Sequence, residues 1–462
     1  LRAHGQTVFT NPTGSNSVLK TAVAAFAGKA ARRAARLRGG GSGGSALPGL
    51  VAEKIDPGFL AHALADVPGG IVVVSGTNGK TTTTKMLVAL LRAHGQTVFT
   101  NPTGSNFTRG VISAMLSERL HRGRLQADIA VLELDEAHAL HFARAVAPTH
   151  ALLLNVARDQ LDRFAEIDHT ASLLTQLAGM TTQGVVLNRD DPFVNRIATT
   201  VGADVDVTWF GLDASIADRL GELQEHDARG HDAWSPPAAR ARDSLLQPQD
   251  EQRLSVLFGE AGEGGRLGPV ELRQRGLAAM INATAATATA RTLLGEAFDP
   301  AAAEQALRTV APPFGRGEVV DVDGTPLELV LVKNPAGFTV ALGTYGSTPV
   351  ATMVAINDDY ADGRDVSWLY DVSFESLRDK GVAITSGVRG WDIALRLQYD
   401  DVPVASTEVD LGRALDAFLA DHAGEPKRIF CTYTAMLALR RMLGERYDLP
   451  EMGVDAPETQ GA

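Results

Sequence analysis

Apolar residues along this chain come in short blocks separated by longer stretches of helical spacing. Ile71 to Val74, Thr97 to Thr100, Ile129 to Glu133, Ala151 to Leu154 and Val185 to Leu187 are such blocks, with a helical pattern from Lys80 to His94 after the first. A continuous apolar run of four or five residues marks a strand covered on both faces, and its alternation with helices predicts an α/β region with a mostly parallel sheet over 47 to about 212. Residues 213–268 break this rhythm with scattered charges, Pro236, Pro237 and the stretch GEAGEGG; no periodicity assigns them, and they read as a divergent insert. The alanine-rich stretch from Leu277 to Leu294 is helical again, as is 297–310. A change of composition near 311 opens a second α/β domain, with strands expected at 327–332, 350–356, 383–385 and 428–431. The expected domains are therefore 47–310 and 311–453, with 454–462 a disordered tail.

The N-terminal stretch has a different character. Residues 1–16, LRAHGQTVFTNPTGSN, recur identically as 91–106, and only the second copy follows a helix of the α/β pattern. The first copy is set aside as a duplication or artefact, with a native start expected near Ser17. Residues 17–46 comprise a basic helix and the flexible linker GGGSGGS. Lys20, Lys29, Arg32, Arg33, Arg36 and Arg38 stand there among alanines, and no acidic residue occurs before Glu53. Three readings are open: attraction to anionic lipid headgroups, a transit peptide, which would show the same composition, or a solvated helix packing its alanine face on the next domain.

Composition narrows the function classes. The chain has 462 residues and a formal charge of −12, which argues against general nucleic-acid binding. No apolar run approaches the roughly 18 residues that a spanning helix needs. A single cysteine, Cys431, excludes an internal disulfide and a four-cysteine metal ribbon, and suits a reducing cytoplasm. Cys431 lies in the apolar stretch IFCTY with no glycine-flanked turn around it, so it reads as core.

The chemistry concentrates after the first strand, in SGTNGKTTTTK. Gly76, Thr77, Asn78 and Gly79 allow a tight turn whose N–H groups point at an anion where the next helix starts. Lys80 would reach the β- and γ-phosphates of a nucleotide, and Thr81, followed by Thr82, would hold Mg²⁺. The spacing departs from the common phosphate-loop pattern, because Val74 stands where its first glycine belongs. Glu133 ends a buried-looking strand, where a carboxylate needs a cation, and would complete the Mg²⁺ site with Thr81. Asp135 and Glu136 read as solvated loop or helix-cap residues, with metal binding through water by one of them as the alternative.

G-T-N-G-K-T-T resembles the phosphate loop of the Mur ligase superfamily, ATP-dependent amide-forming enzymes. VLELDEA, NVARDQLDRF, VLNRDDP, FGRGE, LVKNPAGF, NDDYADGRDVSWLYD and YTAMLALR together resemble the MurT family, the synthetase subunits of lipid II isoglutaminyl synthase, over roughly 18–450. The resemblance implies a Mur-ligase central ATP-binding domain followed by a MurT-type α/β domain. It implies ATP-dependent amidation of the D-glutamate α-carboxylate in the lipid II stem peptide, through an acyl phosphate. Ammonia would come from a separate GatD-type glutamine amidotransferase in a heterodimer, at the cytoplasmic face of the membrane.

Carried onto this sequence, the resemblance places Arg316 and Lys333 at the γ-phosphate and acyl phosphate, and Asn188 and Asn282 along the nucleotide. It implies that an aspartate of ADGRDVSWLYD completes the partner's triad, with Asp365 first, Asp371 second and Asp362 third. There are departures. GLAAMIN keeps one of two family asparagines, and residues 213–268 hold no cysteine, so no zinc is expected. No lysine stands between Lys85 and Lys333 and Gln160 replaces a frequent histidine, so one dominant Mg²⁺ site is expected rather than two. An amino-acid-adding ligase such as a folylpolyglutamate synthase, or a nucleotide-controlled binding protein without ligase activity, are the alternatives.

Overall fold

The computed structural model describes residues 14–37, 46–101, 108–118, 120–157, 167–216, 236–313, 316–346 and 348–449. The larger of its two main sheets has nine strands: β1 (Ile71–Ser75), β2 (Val98–Thr100), β5 (Ile129–Glu133), β6 (His150–Leu153), β7 (Gly184–Asn188), β8 (Asp206–Leu212), β9 (Ser244–Pro248), β10 (Arg253–Phe258) and β11 (Arg266–Glu271). A small separate hairpin supplies β3 (Leu120–His121) and β4 (Arg124–Leu125). The order across the sheet is β11-β10-β9-β8-β7-β6-β1-β5-β2. Strands from β2 to β9 run parallel, and β10 and β11 are antiparallel additions at one edge.

Helices cover both faces, as the unbroken apolar runs require. Those of this half are α1 (Gly14–Leu37), α2 (Ala46–Ile55), α3 (Phe59–Leu64), α4 (Lys80–Ala93), α5 (Thr108–Met115), α6 (Glu136–Ala145), α7 (Ile167–Gly179), α8 (Pro192–Ile197), α9 (Leu277–Leu294) and α10 (Pro300–Thr309). Because strand side chains alternate, Val72 and Val74 enter one core with α4 and α9, while Ile71 and Val73 enter the opposite core with residues of α3, α5 and α7. Alanines give α9 a surface fit for close packing. Its buried threonines 284, 287 and 289 return their hydroxyls to the carbonyls four residues back, at 2.8–2.9 Å, so they bring no unpaired polar group into the core.

The second sheet has the order β12-β13-β17-β14-β15-β16, from β12 (Arg316–Val322), β13 (Thr325–Leu331), β14 (Ala351–Ala355), β15 (Val382–Ser386), β16 (Val404–Glu408) and β17 (Lys427–Cys431). All neighbours are parallel except β12 and β13. Its helices are α11 (Pro335–Tyr345), α12 (Gly390–Tyr399), α13 (Leu411–Asp421) and α14 (Tyr433–Gly444). The expected α/β class with a mostly parallel sheet is the fold observed. Cys431 is fully buried among Leu329, Met353 and Leu439, and burial pushes its thiol well above the usual range, so it is core.

Two expectations change. The segment read as a divergent insert supplies β9, β10 and the start of β11, so its described part completes the main sheet. Residues 217–235 lie outside the described residues. The N-terminal helix starts at Gly14, three residues inside the repeated segment and ahead of the 17–46 bounds expected for the basic helix and linker. Among the described residues no helix is long and apolar enough to cross a membrane.

α1 is fastened through its alanine face. Ala24 and Ala25 are buried, and a β-carbon on Gly28 would meet Leu116. The Thr21 hydroxyl donates to Asp56 Oδ2 at 2.6 Å, and His62 Nδ1 lies 3.0 Å from the same oxygen. Burial alone would push the Asp56 carboxyl up, yet the Thr21 and His62 hydrogen bonds, the His62 charge and the Gly58 N–H hold it below its ordinary value. A depressed carboxyl contributes stability that is present above the ordinary carboxylate range and lost as pH falls through the lowered value. Asp56→Ala should therefore cost about 1–3 kcal/mol near neutral pH, read as a lower urea midpoint, and the deficit should shrink in acid. Equal midpoints at neutral pH would contradict this anchoring role.

Candidate active site

The loop after β1 is built at the carboxyl edge of the parallel sheet, where such folds bind ligands. Gly76 has φ 131° and a β-carbon there would stand 3.0 Å from the Asn155 backbone. Gly79 has φ 88°, and a β-carbon there would meet Asn282 Oδ1 at 2.4 Å. Neither position admits a side chain. Strand register sets Ser75 beside Leu153, and the continuation clamps the loop. The Asn78 N–H donates to Asn155 Oδ1 at 2.8 Å, Asn155 Nδ2 donates to the Asn78 carbonyl at 2.9 Å, and Thr77 N–H donates to the Asn155 carbonyl at 3.0 Å. Asn155 was not singled out from sequence; its place in NVA, just after an apolar run, is the signal that would have found it.

α4 begins at this loop without a side-chain cap and without an acidic residue in its first turn. Such an N-terminus attracts anions, since its first N–H groups lack intrahelical acceptors and the helix dipole is positive there. Lys80 is buried against its own loop, with Nζ donating to the Gly76 carbonyl at 2.6 Å and facing Asp135 at 3.3 Å. Asp135 stands at the N-cap position of α6 and stays partly exposed, whereas Glu136 is not solvated. Asp135 turns to Lys80 instead of capping α6, and Glu136 is buried as that helix enters the core. The Thr81 hydroxyl donates to Glu133 Oε1 at 2.7 Å, and both residues are buried. Asn101 fixes the Glu133 backbone from the end of β2, exchanging two bonds of 2.9 Å with it.

The second sheet meets the loop directly. Asn334 caps α11 by accepting the Gly337 N–H at 2.7 Å, ahead of Pro335 at the first helical position. Its Nδ2 donates to Asn78 Oδ1 at 3.3 Å, joining residues 256 apart in sequence. Lys333 precedes Asn334 in this turn and is half-buried. The Arg316 backbone opens β12 opposite Val330, which brings it to the same end of the sheet; its side chain lies outside the described residues. Asn282 lies against Gly79. The Asn188 amide donates to the Leu154 carbonyl and its oxygen accepts the Asp190 N–H, two strands away from β1. Gln160 lies outside the described residues.

In the loop after β14, the three aspartates separate. Asp362 is buried and accepts from the Thr434 N–H at 2.7 Å and from its hydroxyl, tying the loop to α14; burial raises its carboxyl. Asp365 is exposed, and its Oδ1 accepts the Ser367 N–H at 2.8 Å. Asp371 is also exposed. Beside them α12 presents Trp391, Leu395 and Tyr399 outward, and the Tyr399 ring meets Tyr370 edge-on at 5.9 Å.

Residues 74–290 match the Mur ligase middle domain and 331–436 the MurT ligase C-terminal domain, the two parts that touch at Asn78 and Asn334. MurF of Thermotoga maritima in complex with ADP shares the fold, with a TM-score of 0.61 and 17% identity over 86% of this chain and 85% of that one. The protein is an ATP-dependent ligase of the Mur fold. Its sequence is 30% identical over 429 residues to the MurT subunit of lipid II isoglutaminyl synthase (glutamine-hydrolyzing) of Streptococcus pneumoniae (strain ATCC BAA-255 / R6), covering 87% of this chain and 93% of that subunit. With the corresponding subunit of Staphylococcus aureus (strain COL) the identity is 28%, over 81% and 87%. The chain belongs to the MurT family.

Proposed function

We propose that this chain amidates the D-glutamate α-carboxylate of the lipid II stem peptide to D-isoglutamine, using ATP and ammonia from a GatD-type glutaminase bound to it. The supporting observation is the junction of Asn78 and Asn334, which lays the Lys333 turn of the second sheet on the phosphate loop of the first. A carboxylate is a poor acylating agent. Its oxygen would attack the γ-phosphorus while the bond to the ADP oxygen breaks. Ammonia would then attack the acyl carbon, lose a proton and expel phosphate.

Gly76, Thr77, Asn78, Gly79 and Thr82 would cradle the phosphates, with Asn282 and Asn188 further along the nucleotide. Lys80 and Arg316 would neutralise the transferring phosphoryl, and Lys333 the acyl phosphate. The Thr81 hydroxyl and Glu133 carboxylate are hard oxygen donors already 2.7 Å apart and suit Mg²⁺, which takes few protein ligands beside phosphate oxygens and water. Bound there, the ion would supply charge neutralisation at the β- and γ-oxygens. No zinc is assigned to this function, because Cys431 is the chain's single cysteine and belongs to a core.

Asp365 would orient the partner's histidine, and the outward aromatic face of α12, which meets Tyr370 of the same loop, supports a protein partner there. The lipid-linked substrate places the reaction at the cytoplasmic face of the membrane. Co-expression with a candidate glutaminase, followed by mass spectrometry of lipid II, tests the proposal. Amidation lowers the stem mass by about one unit through exchange of oxygen for NH; an unchanged stem with ATP and ammonium supplied would refute it.

A further inference from the structure

We infer that the outward face of α1 is a docking surface for an anionic lipid bilayer. Among the readings that sequence left open for this helix, the structure makes lipid attraction and inward packing compatible, because the alanine face that packs inward leaves a second face outward. On that face stand Leu19, Val23 and Phe26, which are 66%, 50% and 76% exposed. Their spacing of four and three residues makes one stripe along the helix. At 100° per residue, Lys20 falls on one flank of the stripe and Lys29 on the other, with exposed Arg33 prolonging it. Lys29 Nζ reaches the Glu118 carbonyl at 3.1 Å, so that flank sits close to the body of the protein.

Charge selects the occupant. The chain carries −12 overall, yet residues 1–52 contain no acidic side chain. The segment that bears the stripe is therefore net positive within a net negative chain, as docking on an anionic surface needs. A second exposed apolar helix face, on α12, has Asp392 and the buried Arg396 for charges and lacks this pattern. Three large apolar side chains flanked by lysines are the composition of a helix lying in the headgroup boundary. Asp56, Thr21 and the Gly28 contact hold α1 as a formed helix, so binding need not pay for folding it. The inference rests on the proposed function for the bilayer as the place where substrate is met, and on the surface itself for everything else.

The test is sedimentation of the full chain with phosphatidylcholine vesicles containing roughly a third phosphatidylglycerol, without nucleotide or substrate. The chain should bind these vesicles, bind neutral ones about tenfold more weakly, and release as salt rises. Lys20→Gln with Arg33→Gln should weaken anionic binding roughly tenfold or more. Leu19→Ser with Phe26→Ser should weaken binding to both vesicle types by a similar factor. All four side chains are exposed, so melting curves should match the parent. Absent or charge-independent vesicle binding overturns the inference, as does parent-like binding by both double variants. A dimer that Phe26→Ser turns into monomer, with no vesicle binding, would assign the face to a second copy and also overturn it. Vesicle binding is read without chemistry and amidation of detergent-solubilised lipid II without a bilayer, so the failure of one does not imitate the failure of the other.

Discussion

Lys80→Ala is expected to lower ATP turnover by a factor on the order of 10² to 10³, the scale set by removing one preorganised charged group from a transferring phosphoryl. Lys80 stands in the first turn of α4, buried, with its ammonium between the Gly76 carbonyl and the Asp135 carboxylate. That placement also gives the side chain a part in loop geometry. The loop nevertheless has other fastenings, chiefly the Asn155 clamp on Thr77 and Asn78. The variant should keep its melting midpoint within a few degrees while losing turnover. Near-normal turnover would remove Lys80 from the phosphoryl site; a collapsed midpoint would show that its main task is to hold the loop.

Asp365→Asn should cut glutamine hydrolysis by the complex by at least about 10²-fold, since an acid that fixes a histidine tautomer is worth up to roughly 10⁴ in related triads. The substitution keeps side-chain volume and an oxygen for the Ser367 N–H. Complex formation and ATP binding should be unchanged, and amidation with free ammonium should survive. Unchanged hydrolysis would leave Asp365 as the turn residue its Ser367 bond already makes it, and Asp371→Asn becomes the next test. Asp362 makes a poorer candidate than its place in the motif indicates, because its carboxylate is turned inward and committed to Thr434.

What could be read from the sequence follows burial. β1 and β5 are covered on both faces, so every side chain is apolar up to the polar residue that ends the run, Ser75 in one and Glu133 in the other. β16 lies at the sheet edge with no fully buried side chain and left no apolar run to find. β9 and β11 carry Pro248 and Pro269, residues that argue against a strand unless it lies at or near an edge. The phosphate loop, Thr81 and Glu133 were legible because their chemistry is local to strand ends. Asp135 was not, because its role depends on which strands neighbour β1, and that register appears only in the folded sheet.

The hydrogen bond between Asn78 and Asn334 gives the two sheets a shared equilibrium. Any ligand that shifts Asn78 alters the free energy of seating α11, and any partner that shifts the second sheet alters affinity at the loop by the same factor. A net worth of about 0.5–1.5 kcal/mol for one such bond corresponds to roughly 2- to 12-fold in either affinity. Nucleotide and a protein docked on α12, which shares a core with α11, would through this contact report on each other's presence, giving cooperativity between an ATP site on one sheet and a surface on the other.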